Sequence, residues 1–342
     1  MAKKQGKQTY FTQNSPSVRA FAAVGSKKES EGPLADCFDI IEPDATFGQT
    51  SWEKAESQMV TTVAEKALQK AALSPADIDC VFAGDLLNQC IGSTFGLRDM
   101  GIPLLGIYGA CSTMAEGILL STLLVDSGTA ARTLAVTCSH FCTAERQYRF
   151  PLEYGSVRPT SAQWTATAAG AVILEQGTQP PFVRAVTIGT IEDKGVTDQN
   201  NMGAAMAPAA AQTLKQFFAD TGKTPQDFDL IVSGDLGAIG ADLMIQLLKQ
   251  EGVDIKSKYN DCGLLLYDRV KQDVHSGASG CGCSASVLCS FLLPQLREGK
   301  LKNMLFMATG ALLSPTTVQQ KESIPGIAHL IWFSSEKGGH SL

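Results

Sequence analysis

Charged, aromatic and histidine residues are all scarce in this chain. Of its 342 residues, 18% are charged, 7% are aromatic and 4 are histidines, and the formal net charge is −6. Proteins that bind nucleic acid generally carry an excess of Lys and Arg, so this charge argues against nucleic acid as a partner. The composition also excludes a disordered chain, because hydrophobic residues make up 44% of the sequence and predict a large buried core.

No apolar run is long and uninterrupted enough for a membrane span. The most apolar region, residues 104–125, is interrupted by Glu116 and by several Ser, Thr and Gly residues, whereas a span needs about 20 predominantly apolar residues. The basic start MAKKQGKQTY is not followed by an apolar segment, so we expect no signal peptide and an intracellular protein.

The ten cysteines have neither the spacing of a disulfide scaffold nor that of a structural metal site. Neither CSHFC at residues 138–142 nor the cysteine cluster at residues 281–289 contains the paired C-x-x-C of structural zinc. We therefore expect reduced thiols, no metal ion and no cofactor.

What the sequence does contain is an internal repeat. Residues 74–86, SPADIDCVFAGDL, align with residues 224–236, TPQDFDLIVSGDL, with six identities in thirteen positions. A second block aligns Cys111 with Cys283, and both copies read as helix, turn and strand. A repeat of this length predicts two duplicated α/β halves, residues 1–178 and 179–342, with mixed sheets covered by helices. The glycine-rich turn GASGCG (277–282) favours tight packing where the halves meet.

The stretch IYGACSTMAEG (107–117) is typical of a strand that turns sharply into a helix. An apolar run precedes it and the Leu-rich run ILLSTLLV follows it, which places Cys111 at the helix N-terminus. Unpaired backbone N–H groups and the helix dipole favour a thiolate at such a position. Cys111 is interpreted as a catalytic nucleophile or as the wall of a binding pocket, and a buried structural cysteine is a third interpretation.

Ten strings, taken in order, resemble one family. They cover nearly the whole chain and read GKQTY, EGPLADCFD, SWEKAE, AGDLLNQ, GACSTMAEG, TAERQYRFPLEYG, MGAAMAPAAAQT, DCGLLLYD, ATGALLSPTTVQQKE and IPGIAH. Together they resemble the stage V sporulation protein AD family, within the thiolase and ketoacyl-synthase superfamily. The resemblance implies an α/β, thiolase-like fold in which two duplicated halves, the first of them carrying Cys111, form a layered α-β-α-β-α sandwich.

The resemblance also implies a function. The family belongs to a spore inner-membrane system that moves dipicolinic acid into the forespore and out at germination. Its members bind dipicolinate, with or without calcium, and are not expected to catalyse a reaction. The implied partners are the other membrane subunits of that system. The implied location is peripheral on the spore inner membrane, and the fold makes a homodimer plausible.

The binding residues implied by the family are Asp85 and Asn88 in AGDLLNQ and Cys111 in GACST. Asn88 can donate an amide hydrogen bond to a carboxylate ligand and can also accept one from another group. Asp85 would repel a dianion, so we expect it either to contact chelated calcium or to be protonated on burial.

Three further residues complete the predicted site. Ser112 adjoins Cys111 at the helix start. His140 ends the strand TLAVTCS and either lies near the pocket or is a hydrogen-bonded structural histidine. Arg146 is interpreted as a clamp for a carboxylate, or as the partner of Glu145 or Glu153 on the surface.

The alternative function is a condensing acyltransferase with Cys111 as acyl nucleophile. Such an enzyme needs a His, with a second His or an Asn, to stabilise the developing charge. No His is near Gly234 after the strand DLIVSGDL, and the turn SGASGCGCS has neither His nor Asn, although His275 lies just upstream. The missing groups favour a binding site. Asp235, which repeats Asp85, is interpreted as a helix cap.

Overall fold

The computed structural model describes residues 2–148 and 157–338 of the chain. Fifteen strands make up its sheets. They are β1 (Lys3–Gln5), β2 (Thr9–Phe11), β3 (Ser17–Ser26), β4 (Ile40–Glu42), β5 (Cys80–Gly84), β6 (Leu104–Gly106), β7 (Arg132–Ser139), β8 (Trp164–Thr165), β9 (Ala168–Glu175), β10 (Phe182–Thr187), β11 (Leu230–Ser233), β12 (Tyr259–Asp261), β13 (Ala278–Ser279), β14 (Asn303–Ala311) and β15 (Gly326–Ser334).

The α-helices alternate with these strands along the chain. They are α1 (Lys27–Ser30), α2 (Trp52–Ala71), α3 (Ile91–Leu97), α4 (Thr113–Ser127), α5 (Phe141–Tyr148), α6 (Met202–Thr221), α7 (Gly237–Gln250), α8 (Cys262–Leu266), α9 (Cys281–Val287), α10 (Leu293–Arg297) and α11 (Pro315–Gln319). In the segments that the structure covers, no helix combines the length and the apolar character that crossing a membrane requires.

The strand order of the second half repeats that of the first. The first half runs β3-β9-β7-β5-β6 and the second runs β10-β15-β14-β11-β12. In both orders, the first two pairings are antiparallel and the last two are parallel. The third strand, β7 or β14, is therefore antiparallel to one neighbour and parallel to the other. The two sheets meet where β10 pairs with β3, at Phe182 and Ser17. The repeat in the sequence is therefore a repeat of topology.

The aligned motifs fold into the same local structure. SPAD and TPQD each form a 3-10 turn with proline at its start, and in each the aspartate accepts a hydrogen bond from the first residue. Asp77 accepts from the Ser74 N–H at 2.8 Å, and Asp227 accepts from the Thr224 N–H at 2.8 Å. Each turn leads into a buried strand, β5 or β11.

The elements stack in five layers. Helix α4 lies between the sheets and contacts β5, β7 and β9 on one side and β10, β14 and β15 on the other, while α9 packs beside it. Helix α2 covers the outer face of the first sheet, and α6 with α7 covers the outer face of the second. Three apolar cores fill the spaces between these layers. The layered α/β prediction is thus confirmed, and the sheets are buried on both faces as their apolar strands require.

Among the strands that the sequence does not predict are β3 and β10. They join the two sheets to each other, but neither lies in the aligned sequence blocks. The boundary between residues 178 and 179 stays a prediction.

Candidate functional site

Cys111 lies at the start of the central helix, as predicted. A short 3-10 turn, Ala110–Ser112, leads directly into α4. Ala110 has a φ of 51°, a left-handed conformation that non-glycine residues rarely adopt. The turn is confined by close backbone contacts: a Cβ on Gly310 would lie 2.5 Å from the Gly109 carbonyl oxygen. The Cys111 side chain is thereby fixed against the second half.

A cavity with a volume of about 50 Å³ opens at Cys111. Both halves line it, and none of its described lining residues carries a charge. Apolar side chains form most of the wall, and Thr165, Gln199 and Ser279 add polar groups. The first half contributes Leu86, Ala110, Cys111, Ala144, Tyr148 and Thr165, and the second contributes Gln199, Met202, Ser279, Ala311 and Leu313.

The N-termini of two long helices reach this cavity. Cys111 precedes α4, and Met202 is the first residue of α6. The end of such a helix carries roughly half a positive charge and favours anions. A cavity without charged side chains can therefore still stabilise a carboxylate.

The carboxylate of Asp235 faces Cys111 from the second half. Its hydrogen-bond donors are the Thr309 hydroxyl at 2.8 Å, the Gly280 N–H at 3.0 Å and the Ser279 hydroxyl at 3.1 Å. Burial, and next the charge of Asp235, raise the pKa of the Cys111 thiol well above its usual range. Burial also raises the pKa of Asp235, against its hydrogen bonds.

The interpretation of Asp235 as a helix cap is wrong. Asp261 takes that position instead: its carboxylate accepts from the N–H groups of Leu236 at 2.8 Å and Gly237 at 3.1 Å, where α7 begins.

Asp85 is buried and organises the loop after β5. Its carboxylate accepts from the Leu87 N–H at 2.9 Å and from the N–H and hydroxyl of Ser93, both at 2.7 Å. Burial raises its pKa, and the Ser93 hydrogen bonds oppose that shift. These contacts keep Leu86 in the cavity wall, whereas Asp85 itself is not among the lining residues.

Asn88 and Ser112 lie near the cavity without lining it. Asn88 is exposed, and its backbone N–H donates to the side chain of Gln147 at 3.1 Å. The Ser112 hydroxyl is buried and donates to the Gly109 carbonyl at 2.6 Å. Asp85, Asn88 and Ser112 thus lie close to Cys111 in the fold. Of these four residues, only Cys111 lines the cavity.

His140 is placed in a different depression. Its Nε2 lies 2.8 Å from the Ala45 carbonyl oxygen, and its Nδ1 accepts from the Cys142 N–H at 3.1 Å. This depression is lined by Lys28 and Trp164 and not by Cys111. These contacts match the structural role that the sequence left open for His140.

Arg146 projects away from the cavity. Its guanidinium pairs with Glu53 on α2 and lies 5.2 Å from the ring centre of Trp52. The partners considered from sequence were Glu145 and Glu153. Arg146 forms an ion pair with Glu53, and Glu153 lies outside the described residues.

No histidine lines the cavity among the residues that the structure describes. His275 lies 3.1 Å from the Asp273 carboxylate. Within residues 2–148 and 157–338 there is also no group of three or more His, Cys, Asp or Glu side chains that could hold a metal ion. The donors of the cavity are thus hydroxyls, an amide, a thiol and backbone N–H groups.

Several wall residues carried no sequence signal. Gln199, Met202, Thr165 and Leu313 lie in loops or at the ends of elements, where neither periodicity nor a motif marks a function. The string MGAAMAP, which begins at Met202, was recognised only as part of the family resemblance.

The fold of this protein is thiolase-like. The 3-oxoacyl-(acyl-carrier-protein) synthase III of Aquifex aeolicus VF5 superposes with a TM-score of 0.57 at 14% identity, over 93% of this chain and 99% of that chain. A variant of Xanthomonas campestris OleA superposes with a TM-score of 0.61 at 12% identity, over 95% of this chain and 99% of that chain. At these identities the likeness shows the fold.

Sequence similarity is more specific. A sequence model of the stage V sporulation protein AD family matches residues 6–334. Stage V sporulation protein AD of Bacillus subtilis (strain 168) is 45% identical over 336 residues, which cover 98% of this chain and 99% of that protein. The chain belongs to the stage V sporulation protein AD family.

Proposed function

We propose that this protein binds dipicolinate in the Cys111 cavity, without acyl transfer, as a component of the spore system for dipicolinate uptake and release. The observation that carries the proposal is the wall of this cavity, which no histidine and no charged side chain lines among the described residues. A nucleophilic cysteine needs a neighbouring base or cation that stabilises its thiolate. Here burial, and next the negative charge of Asp235, raise the pKa of Cys111, so the neutral thiol is favoured.

The cavity suits a flat ligand with carboxylate groups. Leu86, Ala144 and Leu313 give apolar surface for a pyridine ring. The N-termini of α4 and α6 and the hydroxyl of Thr165 offer donors to its carboxylates. Because no charged side chain lines the described wall, a neutral one-to-one calcium chelate is less costly to bury than the free dianion.

Asp85 contributes to this binding by positioning and not by contact. It keeps Leu86 and the following loop in place through its three hydrogen bonds. The other proposed features rest on family membership: membrane subunits of the same system as partners, and peripheral attachment to the spore inner membrane.

A homodimer is part of the same proposal. The strand β6 is the last strand of the first sheet, and its two leucines are exposed, Leu104 by 40% and Leu105 by 51%. Tyr108 beside it is exposed by 49%. An exposed apolar edge strand is a template for pairing with another chain, and a second copy of this chain would bring an identical edge.

Calorimetric titration of the purified protein with dipicolinate, with and without equimolar calcium, tests the binding. Saturable binding is expected for the wild type. Ala144→Leu, which adds bulk to the cavity wall, should abolish it, and Cys142→Leu, on the same helix but outside the wall, should leave it unchanged. No binding in either condition would contradict the proposal. Mass added to Cys111 after incubation with an acyl-CoA would instead support the acyltransferase.

A further inference from the structure

A second depression, separate from the Cys111 cavity, is lined by two arginines. It has a volume of about 520 Å³, and it lies where the start of β3, the end of β9 and the last residue of α10 meet. Arg19, Glu175 and Arg297 are the charged residues of its described wall, and the loop 176–180 closes one side. We call it the Arg19–Arg297 pocket.

This pocket and the Cys111 cavity lie at opposite ends of β9. The strand begins at Ala168, three residues after Thr165 in the wall of the Cys111 cavity, and ends at Glu175 in the wall of the Arg19–Arg297 pocket. A strand of this length spans about 20 Å. A ligand of one site therefore does not touch the other.

Positive charge exceeds negative charge at the Arg19–Arg297 pocket. The Glu175 carboxylate lies 3.7 Å from Nη1 of Arg19, and it also accepts from Nε of Arg132 at 2.9 Å. Among the residues that the structure describes, no carboxylate pairs with Arg297. Three guanidinium groups thus surround one carboxylate, although the net charge of the whole chain is −6.

The guanidinium of Arg297 is held in place before any ligand binds. Its Nη2 donates to the carbonyls of Val18 at 2.8 Å and Arg19 at 3.1 Å, and its Cζ lies 4.4 Å from the ring centre of Phe21. Burial, and next the positive charge of Arg19, lower the pKa of Arg297. An anion bound between the two arginines would relieve this repulsion.

The loop beside the arginines adds backbone donors. Over residues 2–148 and 157–338, no protein group accepts from the N–H groups of Gly177, Thr178 or Gln179. Backbone N–H groups and the fork of a guanidinium are the donors that phosphate oxygens accept in proteins. A phosphate offers acceptors in several directions, which suits donors that come from two side chains and a loop.

We infer that the Arg19–Arg297 pocket binds a phosphate group, carried either by a soluble phosphate or by a phospholipid headgroup. The inference does not depend on dipicolinate binding, because the two sites share no lining residue. It assigns an anion site to the end of the first sheet that lies away from Cys111.

Two titrations test the inference, one with inorganic phosphate and one with phosphatidylcholine vesicles that contain or lack phosphatidylglycerol. The wild type should bind phosphate saturably. Arg19→Gln and Arg297→Gln should each weaken binding by about tenfold or more. The side chain of Arg19 is 48% exposed, so its replacement should leave the fold intact. Arg98→Gln removes the same charge from a side chain that is 59% exposed elsewhere and should bind as the wild type does.

The two titrations also distinguish the sources of the phosphate. Binding to phosphatidylglycerol vesicles that both pocket variants lose and Arg98→Gln keeps would identify a lipid headgroup. Binding of inorganic phosphate that both pocket variants weaken, with no binding to vesicles, would identify a soluble phosphate. The inference is overturned if the wild type binds neither probe, or if the pocket variants bind as well as Arg98→Gln.

Discussion

Two influences on the Cys111 thiol act in opposite directions. Its place at the start of α4 favours the thiolate, because the helix end carries a partial positive charge. Burial and the Asp235 carboxylate favour the thiol, and their combined effect raises its pKa well above the usual range. A helix end contributes about 0.3–1 kcal/mol at most sites, which is small beside the desolvation of a fully buried charge. Burial therefore decides the state of Cys111.

Alkylation by iodoacetamide tests this balance. At about pH 7, Cys37, which is exposed, should be alkylated first and Cys111 should be protected. Because the pKa of Cys111 is raised, its alkylation should appear only as the pH increases beyond the usual thiol range. Asp235→Asn removes the neighbouring charge without opening the cavity, so it should speed alkylation of Cys111 relative to Cys37. Mass spectrometry of the labelled peptides measures both rates.

Equal labelling of Cys37 and Cys111 in the wild type would contradict the neutral thiol. An Asp235→Asn variant with unchanged labelling would show that access, and not charge, protects the residue.

Asp85 is the second residue whose role can be tested separately from ligand contact. Asp85→Ala leaves the Leu87 and Ser93 donors without their acceptor. We expect a loss of about 2 kcal/mol in the free energy of unfolding, less than three full hydrogen bonds because the buried carboxylate is removed as well. Urea denaturation measures it. Ser93→Ala removes one of the donors and should cost about 1 kcal/mol. Unchanged stability with lost binding would make Asp85 a direct ligand contact.

At the scale of elements, the sequence predicted much of the scaffold and little of the side-chain direction. β5, β7, β9 and their partners β11, β14 and β15 follow from buried runs that recur in the repeat. The position of Cys111 follows from its strand–turn–helix pattern. The sequence suggested His140 because it ends the strand after the Cys111 helix, and Arg146 because a guanidinium can clamp a carboxylate. Their side chains point elsewhere because α5 turns them towards the Ala45 segment and towards α2, which no local pattern specifies.

The contact between β14 and the Cys111 turn gives a prediction for these elements. A Cβ on Gly310 would lie 2.5 Å from the Gly109 carbonyl oxygen and 3.3 Å from the Ser112 nitrogen. Gly310→Ala should therefore displace the turn, lower the free energy of unfolding by about 2 kcal/mol and abolish dipicolinate binding. Urea denaturation and titration measure the two effects. Gly106→Ala is the matched control, since its Cβ would meet nothing within 4 Å. A Gly310→Ala variant as stable as the control would refute this tight packing.

At the scale of the whole molecule, the site exists only between the halves. Cys111 comes from the first half, while Asp235, Gln199 and Ser279 come from the second. The glycine-rich turn makes this junction close: a Cβ on Gly282 would lie 2.1 Å from the Ala168 carbonyl oxygen in β9. The predicted tight packing of that turn is confirmed. A half alone would expose the central apolar core that α4 and α9 share with both sheets.

The edge of the first sheet gives the last prediction. If two copies pair through β6, the wild type should sediment as a dimer, and replacing Leu104 and Leu105 with lysine should produce monomers, because like charges would face each other across the shared edge. Val270→Lys is the control, since Val270 is exposed by 94% in a loop of the second half. Sedimentation velocity measures all three proteins. A wild-type monomer, or a dimer that survives both lysines, would show that β6 is not the interface. Retained dipicolinate binding by the monomeric variant would show that each copy carries a complete site.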